Sequence, residues 1–340
     1  MSRVLKVLNA GPMVTVQDMG RPGYLASGLS RGGAMDRLAL HEGAAILHQK
    51  PHLAALEIAG FGGTFEAGED MRIALTGAPM RASIDGTPVV WNASHALPKG
   101  ARLTIGAAET GSYGYLHVGG GIDTPEIMGA RGTHLGAGLG RTLQAGDALP
   151  VGKDARPDHV GLRLDPDARF EGGLVRVMPG PQTRFFAPAE RERFAAETFR
   201  RDARGNRMGV RFVPSGSPFA SDAGLSILSE VVVPGDIQVT GDGTPFVLMA
   251  ECQTTGGYPR IGTVLPADLP RVAQAAAGKT LRFAFLDVDA VTAADRAERR
   301  RWEALPGRVK RLITDPADIR DLLAYQLIGG VTAGDDPDRD

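Results

Sequence analysis

The sequence predicts a mainly β protein built as two barrel-like halves, with a few short helices and a helix near the C-terminus. Three observations carry that prediction. Of 340 residues, 46 are glycine and 23 are proline. Glycine is thus near twice its average share of about 7%, which works against long unbroken helices. Short runs of β-forming residues alternate with Gly or Pro punctuation. The same pattern resumes after a polar stretch at 152–169 that holds Asp154, Pro157, Asp158, Asp165, Pro166 and Asp167.

In chain order, the early helix is expected behind Asp36 as cap, with Leu38, Leu40, Ala44, Ala45 and Leu47 as its apolar face. Strands are expected at 72–76, 102–105 and 113–118, each running into glycine. Beyond the polar stretch, strands are expected at 174–178, 246–250 and 281–286, with a short helix within 186–200. Thr292 is the cap candidate for a charged helix over 292–305, ending near Pro306-Gly307. The division that follows is 1–155, 170–290, a helical extension at 291–333 and a disordered tail at 334–340 rich in Asp.

Composition excludes several function classes. Lys+Arg 38 against Asp+Glu 39 gives a net charge of -1, which argues against a nucleic-acid binder. The basic residues between Arg296 and Arg311 form a short, interrupted patch that suits a solvated helix face. One cysteine, Cys252, permits no internal disulfide and no cysteine-rich metal site. Near a strand end it is expected to be an inert buried thiol. The seven histidines show no zinc-ligand spacing. No apolar stretch at 1–9 suits a signal sequence, and no run of 18 apolar residues suits a membrane span, so a cytoplasmic protein is expected.

Two segments imitate phosphate loops. Ala277-Gly278-Lys279-Thr280 lacks the upstream glycine of that motif, since Ala273 stands there, and is expected to be a turn. Gly136-Ala137-Gly138-Leu139-Gly140 has no strand immediately before it, although its amides suit an anion or other ligand.

Three polar, glycine-rich stretches hold the groups suited to a small polar ligand: 15–24 with 32–36, 115–123 with 129–131 and 140–141, and 253–259. Arginine binds carboxylates bidentately, while amides and hydroxyls fix C=O and N–H groups. The same groups also satisfy loop backbone, and spacing alone leaves both readings open.

These stretches carry a resemblance. Thr15-Val16-Gln17-Asp18-x-Gly20-Arg21-x-Gly23, Gly33-Ala34-Met35-Asp36, Leu56-Glu57, Leu75-Thr76-Gly77-Ala78, Tyr115-Leu116 with Gly119-Gly120-Gly121-Ile122 and Gly140-Arg141-x-Leu143 with Gly146-Asp147 occur in order. Pro179-Gly180-Pro181-Gln182, Arg207-Met208-Gly209, Ser229-Glu230 and Gln253-Thr254-Thr255-Gly256-Gly257-Tyr258-Pro259 follow. Together they resemble the biotin-dependent carboxyltransferase family, also called allophanate hydrolase subunit 2, which includes the C subunit of 5-oxoprolinase. The resemblance spans roughly 8–290.

The resemblance implies two tandem cyclophilin-like β-barrel domains. It also implies a partner of the allophanate hydrolase subunit 1 type, a third oxoprolinase component, and ATP-dependent opening of 5-oxo-L-proline to L-glutamate. As alternatives it implies a carboxyltransferase acting on urea or a similar amide with carboxybiotin, or a non-catalytic regulator that antagonises a kinase inhibitor. Site residues are expected at Gln17, Asp18, Arg21, Asp36, Glu57, Arg131, Gln253, Thr254, Thr255 and Tyr258. Among these, Arg131 and Arg21 would hold a carboxylate or phosphoryl group. Asp18 or Asp36 would act as base, and Tyr258 with Thr255 would hydrogen-bond the substrate carbonyl. No metal site is expected.

The chain departs from the family pattern at four places. It has Gly43-Ala44 for Ala-Asn, Gln49 for a later Asn, and Ala130-Arg131-Gly132-Thr133 for Ser-Arg-Ser-Thr. Ahead of Gln253 it has Glu251 and Cys252 for Asp and Arg.

Overall fold

A computed structural model describes residues 3–224 and 226–313. The expectations for the rest of the extension and for the tail at 334–340 lie outside the described residues.

The mainly β expectation holds. In the first half, alternation sets the strands: within Val4–Ala10, Leu5 and Val7 turn inward between outward-facing neighbours. One sheet runs Ala148–Pro150, Val4–Ala10, Phe61–Ala67, Arg102–Ala108, Met80–Ile84, Thr87–Pro88. The other runs Val14–Gln17, Ala55–Ala59, Tyr113–Val118, Met71–Gly77, Ser94–Leu97. A mainly aliphatic core from both sheets, including Leu5, Val16, Leu56, Leu75 and Leu103 around Phe65, lies between them.

Tyr113–Val118 and Met71–Gly77 are buried along their whole length because α1 (Arg37–Ile46) covers their second face. Asp36 caps α1 as expected, accepting from Ala39 N at 3.1 Å. Thr76 Oγ1 donates to the Ala39 carbonyl at 3.0 Å, tying the helix to the sheet. Gly43 sits where α1 crosses His117. A Cβ there would lie 2.3 Å from the imidazole, so this mid-helix glycine, which costs about 1 kcal/mol of helix propensity, is what lets the two approach.

The second half closes into a seven-stranded barrel: Gly173–Met178, Arg260–Val264, Asp236–Val239, Pro245–Leu248, Gly209–Pro214, Phe199–Gly205, Thr280–Phe285. The first and last strands meet in parallel, Gly173 opposite Leu281, and so complete the ring. Its core is aromatic. Phe194 of α2 (Pro188–Ala196) stacks on Phe283 at 5.1 Å and packs beside Phe199 and Phe219. A further helix, α3 (Leu269–Gln274), buries Val272 and Ala273. One apolar cluster runs through both halves, joining Ala34, Met35, Leu40 and Tyr115 to Val175, Ile237 and Met249.

The C-terminal helix, α4 (Val288–Ala304), starts four residues before Thr292. Asp287 is its cap, accepting from Ala290 N at 2.8 Å, whereas Thr292 donates its hydroxyl to the Val288 carbonyl. Asp wins because its carboxylate also meets the positive end of the helix dipole. The segment folds back on the first half: Trp302 stacks on His41 at 4.4 Å, and Lys310–Arg311 pairs with Leu162–Arg163. At 277–280 the expected turn is present, with Gly278 at φ +88° and Lys279 paired to Glu171. No helix among the described residues is long and apolar enough to cross a membrane.

Candidate functional site

The expected site residues fall into three places. The first is a cleft of about 380 Å³ at one edge of the first half, lined by Asp18, Gly20, Leu53, Gly120, Asp123 and Arg131 among others. Asp18 follows the Val14–Gln17 strand and organises two loops. Its Oδ1 accepts from Gly20 N at 2.8 Å and its Oδ2 from Arg131 N at 2.6 Å. The Arg131 guanidinium donates to Glu126 at 2.6 Å and Asp123 at 2.5 Å, both exposed acids.

Behind that wall lie Gln17 and Arg21, both buried. Gln17 Nε2 donates to Thr15 Oγ1 and the Thr133 carbonyl. Arg21 donates to the carbonyls of Gly132 and Ile127. Burial pushes the Arg21 guanidinium below its ordinary pKa, against the opposing pull of Asp18 and Glu251. Gln17 Oε1 and Arg21 Nη1 have no hydrogen-bond partner among the described residues. A Cβ at Gly132 would be 3.1 Å from Gln17 Oε1, whereas Arg21 Nη1 lies toward Gly32, 3.5 Å from where a Cβ would stand there, with Nη2 holding the Gly132 carbonyl.

The second place is the seam between the halves. Glu57 and Asp36 are there, both buried. Glu57 accepts from Arg207, from Met35 N at 2.8 Å and from Tyr115 Oη at 2.7 Å. Asp36 accepts from Arg169 Nε at 2.6 Å and Gln274 Nε2 at 2.8 Å while capping α1. Those contacts give Asp36 a positioning role in place of the expected base, because no face of its carboxylate is open to a substrate. The same correction applies to Glu57 as a substrate ligand. Burial of Tyr115 against Glu57 raises its phenol well above the ordinary value.

The third place is the 253–259 segment of the second half, which follows Glu251. Thr255–Gly256 pairs with Glu230–Val231, Gln253 donates to Gln238 at 3.2 Å, and Tyr258 is exposed. Among the described residues, no hydrogen bond joins Gln253, Thr254, Thr255 or Tyr258 to the Asp18 cleft.

Sequence reasoning missed several residues. Arg207 bridges Glu57, Glu251 at 2.5 Å and the Gly33 carbonyl at 2.7 Å. Its signal was present in the Arg207-Met208-Gly209 element. Arg169 had none, since it lies in the polar stretch between the halves. Ser30 and His134 are also buried here, with Ser30 Oγ 2.9 Å from His134 Nε2 and Glu251 Oε2 3.7 Å from His134 Nδ1. The trio does not form a nucleophile and base. Ala137 N donates to Nδ1 at 3.2 Å, which places the imidazole proton on Nε2, facing Ser30. Burial also lowers the His134 pKa.

A model of the carboxyltransferase domain, subdomain A and B, matches residues 27–285. The chain belongs to the carboxyltransferase domain family. It is 34% identical over 310 residues to the C subunit of 5-oxoprolinase from Escherichia coli (strain K12), covering 90% of this chain and 99% of that protein. It is 28% identical over 305 residues to the urea amidolyase of Lachancea kluyveri, covering 82% of this chain and 17% of that one. Its fold matches the crystal structure of K. lactis urea amidolyase with a TM-score of 0.79 at 22% identity, covering 93% of this chain and 21% of that one.

The positions at which the sequence departs from the resemblance have these surroundings. Gly132 presents no side chain at the position facing Gln17 Oε1. Glu251 reaches both Arg207 and Gly136 N, the latter at 3.1 Å. Cys252 packs with Val232 and Leu248. Burial pushes its thiol up to about 12, as suits the inert role expected of it.

Proposed function

We propose that this chain is the C-type component of an ATP-dependent 5-oxoprolinase, opening 5-oxo-L-proline to L-glutamate together with an allophanate hydrolase subunit 1-type partner and a third component. The observation that carries the reading is the pair Gln17 Oε1 and Arg21 Nη1. One lacks a donor and the other an acceptor, and leaving such buried groups unpaired costs about 1–3 kcal/mol each. A lactam H–N–C=O unit supplies both partners. Arg21 would polarise the carbonyl where negative charge grows during ring opening, and Gln17 would orient the lactam N–H. Likeness to the E. coli 5-oxoprolinase component over nearly its full length supports the substrate.

For a ligand to reach this pair, the 127–132 segment must lift away from Asp18. Met128 at φ +55°, a conformation disfavoured for a non-glycine residue, stores strain at that place, and Gly129 at φ +77° takes the next left-handed position freely. Asp18 and Arg131 then form the outer wall and its latch.

The two segments with phosphate-loop character do not fit ATP. The amides of 136–139 are taken by Glu251, His134 and Leu135, and Lys279 is held by Glu171. ATP is therefore assigned to the other components. Urea also carries an N–C=O unit, and likeness to urea amidolyase favours a second reading as a carboxyltransferase. Carboxybiotin fits the open cleft less well, because Asp123 and Glu126 already occupy the Arg131 guanidinium. The lone inert thiol suits a cytoplasmic complex.

The test mixes this chain with both other components and follows ATP hydrolysis and glutamate formation with and without 5-oxo-L-proline. Stimulation that requires this chain, and that Gln17→Leu removes, is the expected result. Carboxyl transfer to urea without any 5-oxo-L-proline response would replace the first reading by the second.

A further inference from the structure

A groove of about 650 Å³ lies between α1 and α4. It is lined by Ala44 and Ala45 of α1, by the stacked pair His41 and Trp302, and by Pro306. Arg156 and Arg299 also border it, against the one acid Glu303, so its rim is positive. Apolar surface of this extent at the outside of a protein marks a place where something binds.

The chain itself arrives there. Beyond Pro306 it turns back along the first half, where Lys310–Arg311 pairs with Leu162–Arg163 and Leu312 N donates to the Gly161 carbonyl at 2.7 Å. Just before Gly161, His159 packs edge-on to His48 at 5.6 Å, and His48 lines the groove. Ile313, the last described residue, is 81% exposed. The sequence continues from Thr314 to Asp340. An extended residue spans about 3.3–3.6 Å, so a few residues suffice to reach the groove.

The continuing sequence matches that surface. Ile319, Leu322, Leu323 and Leu327 recur at the spacing of one apolar helix face. Asp315, Asp318 and Asp321 outweigh Arg320 and give the stretch the opposite sign to the rim. Complementary charge fixes register, and the tether holds the segment near millimolar effective concentration, so a modest intrinsic affinity suffices.

We propose that residues 315–328 dock in the groove between α1 and α4, with the acids toward Arg156 and Arg299, and that they brace the Asp18 cleft from behind. The link is Gln49. It lines the groove, and its Oε1 accepts from Gly120 N at 3.0 Å, where Gly120 lines the cleft. One loop serves both places, with Pro51 at the groove and Leu53 at the cleft. The inference names no substrate and stands apart from the 5-oxoprolinase reading.

The experiment uses the full chain. A Trp91→Phe background leaves Trp302 as the only tryptophan. Leu322→Asp with Leu323→Asp is expected to shift its emission to the red and to speed exchange of the Gly120 amide by about tenfold. A peptide of residues 314–340 added to that variant restores the original emission, and Arg156→Glu weakens this binding by about threefold or more. A second pair, Arg299→Cys with Ala324→Cys, tests the contact without opening it. A short bismaleimide should close a link within one chain, since Cys252 is buried and inert. Links between chains would put a second copy in the groove, no link would leave it to another molecule, and unchanged Trp302 emission would place the segment elsewhere. Each of these overturns the docking, and unchanged Gly120 exchange overturns the bracing of the cleft.

Discussion

The seam and the cleft are built from the same residue types and differ in one respect, satisfaction. At the seam, Arg207 is gripped by two carboxylates and Arg169 by three, and Asp36, Glu42, Glu57 and Glu251 all accept from guanidinium groups. At the cleft, Arg131 meets exposed acids, and two buried atoms behind it have no partner among the described residues. A buried polar network with every member paired holds two bodies in one arrangement. A cluster with a donor and an acceptor left over is prepared for something else. The difference separates scaffold from site more cleanly than the kinds of residue present.

The largest effect should come from breaking the seam. Arg207→Met strands Glu57 and Glu251 without their cation, and a loss of about 3–5 kcal/mol is expected in urea unfolding. A loss below about 1 kcal/mol would mean the network is not what joins the halves.

Acid should weaken the folded scaffold next. Burial pushes His117 down to about 3, beneath Gly43 and hydrogen-bonded to Thr76 at 2.7 Å. The unfolded chain takes up this proton from about pH 6.5 downward, while the folded chain refuses it until about pH 3. Stability is therefore lost as pH falls through that window, by up to about 1.4 kcal/mol per pH unit. Urea melts at about pH 7 and about pH 5, both above the folded value, should show His117→Gln less acid-sensitive than the wild type.

At the cleft the balance reverses. Gln17→Leu removes an orphan acceptor but also the donor to Thr15 Oγ1 and the Thr133 carbonyl, so a loss of about 1–3 kcal/mol is expected, smaller than at the seam. Arg131→Ala breaks only exposed pairs, worth about 0–1 kcal/mol. Both should nevertheless lower substrate-dependent turnover, by about tenfold or more. Either variant that unfolds the chain, or keeps full turnover, would erase the contrast between the two regions. The smallest effect is at Cys252. Its thiol, pushed up to about 12, should resist alkylation at about pH 8 until the protein is unfolded.

Much of the fold was legible. The Asp36 cap, the short strands ending in glycine and the helix after Ala187 follow from local chemistry, which acts within a few residues. The start of α4 was misplaced because Asp287 and Thr292 both satisfy the local rule, and packing of Trp302 on His41 involves residues more than 250 positions apart. Of the site, Gln17, Asp18, Arg21 and Arg131 were chosen from motif residues and do converge on Gly132 and the cleft. Asp36 and Glu57 came from equally good motifs and lie in the seam instead. A motif records that a carboxylate is needed, and only its partners show what for.

The sequence by itself therefore determined the strand and turn pattern, the family and the residues worth examining, because these depend on spacing, propensity and residue type. Tertiary structure alone decided which charges are paired. It set Arg169 against Asp36 and Arg207 against Glu57, and left Gln17 Oε1 and Arg21 Nη1 without partners among the described residues. Pairing depends on distance and burial across segments more than 100 residues apart, and both quantities exist only once the two halves have packed together.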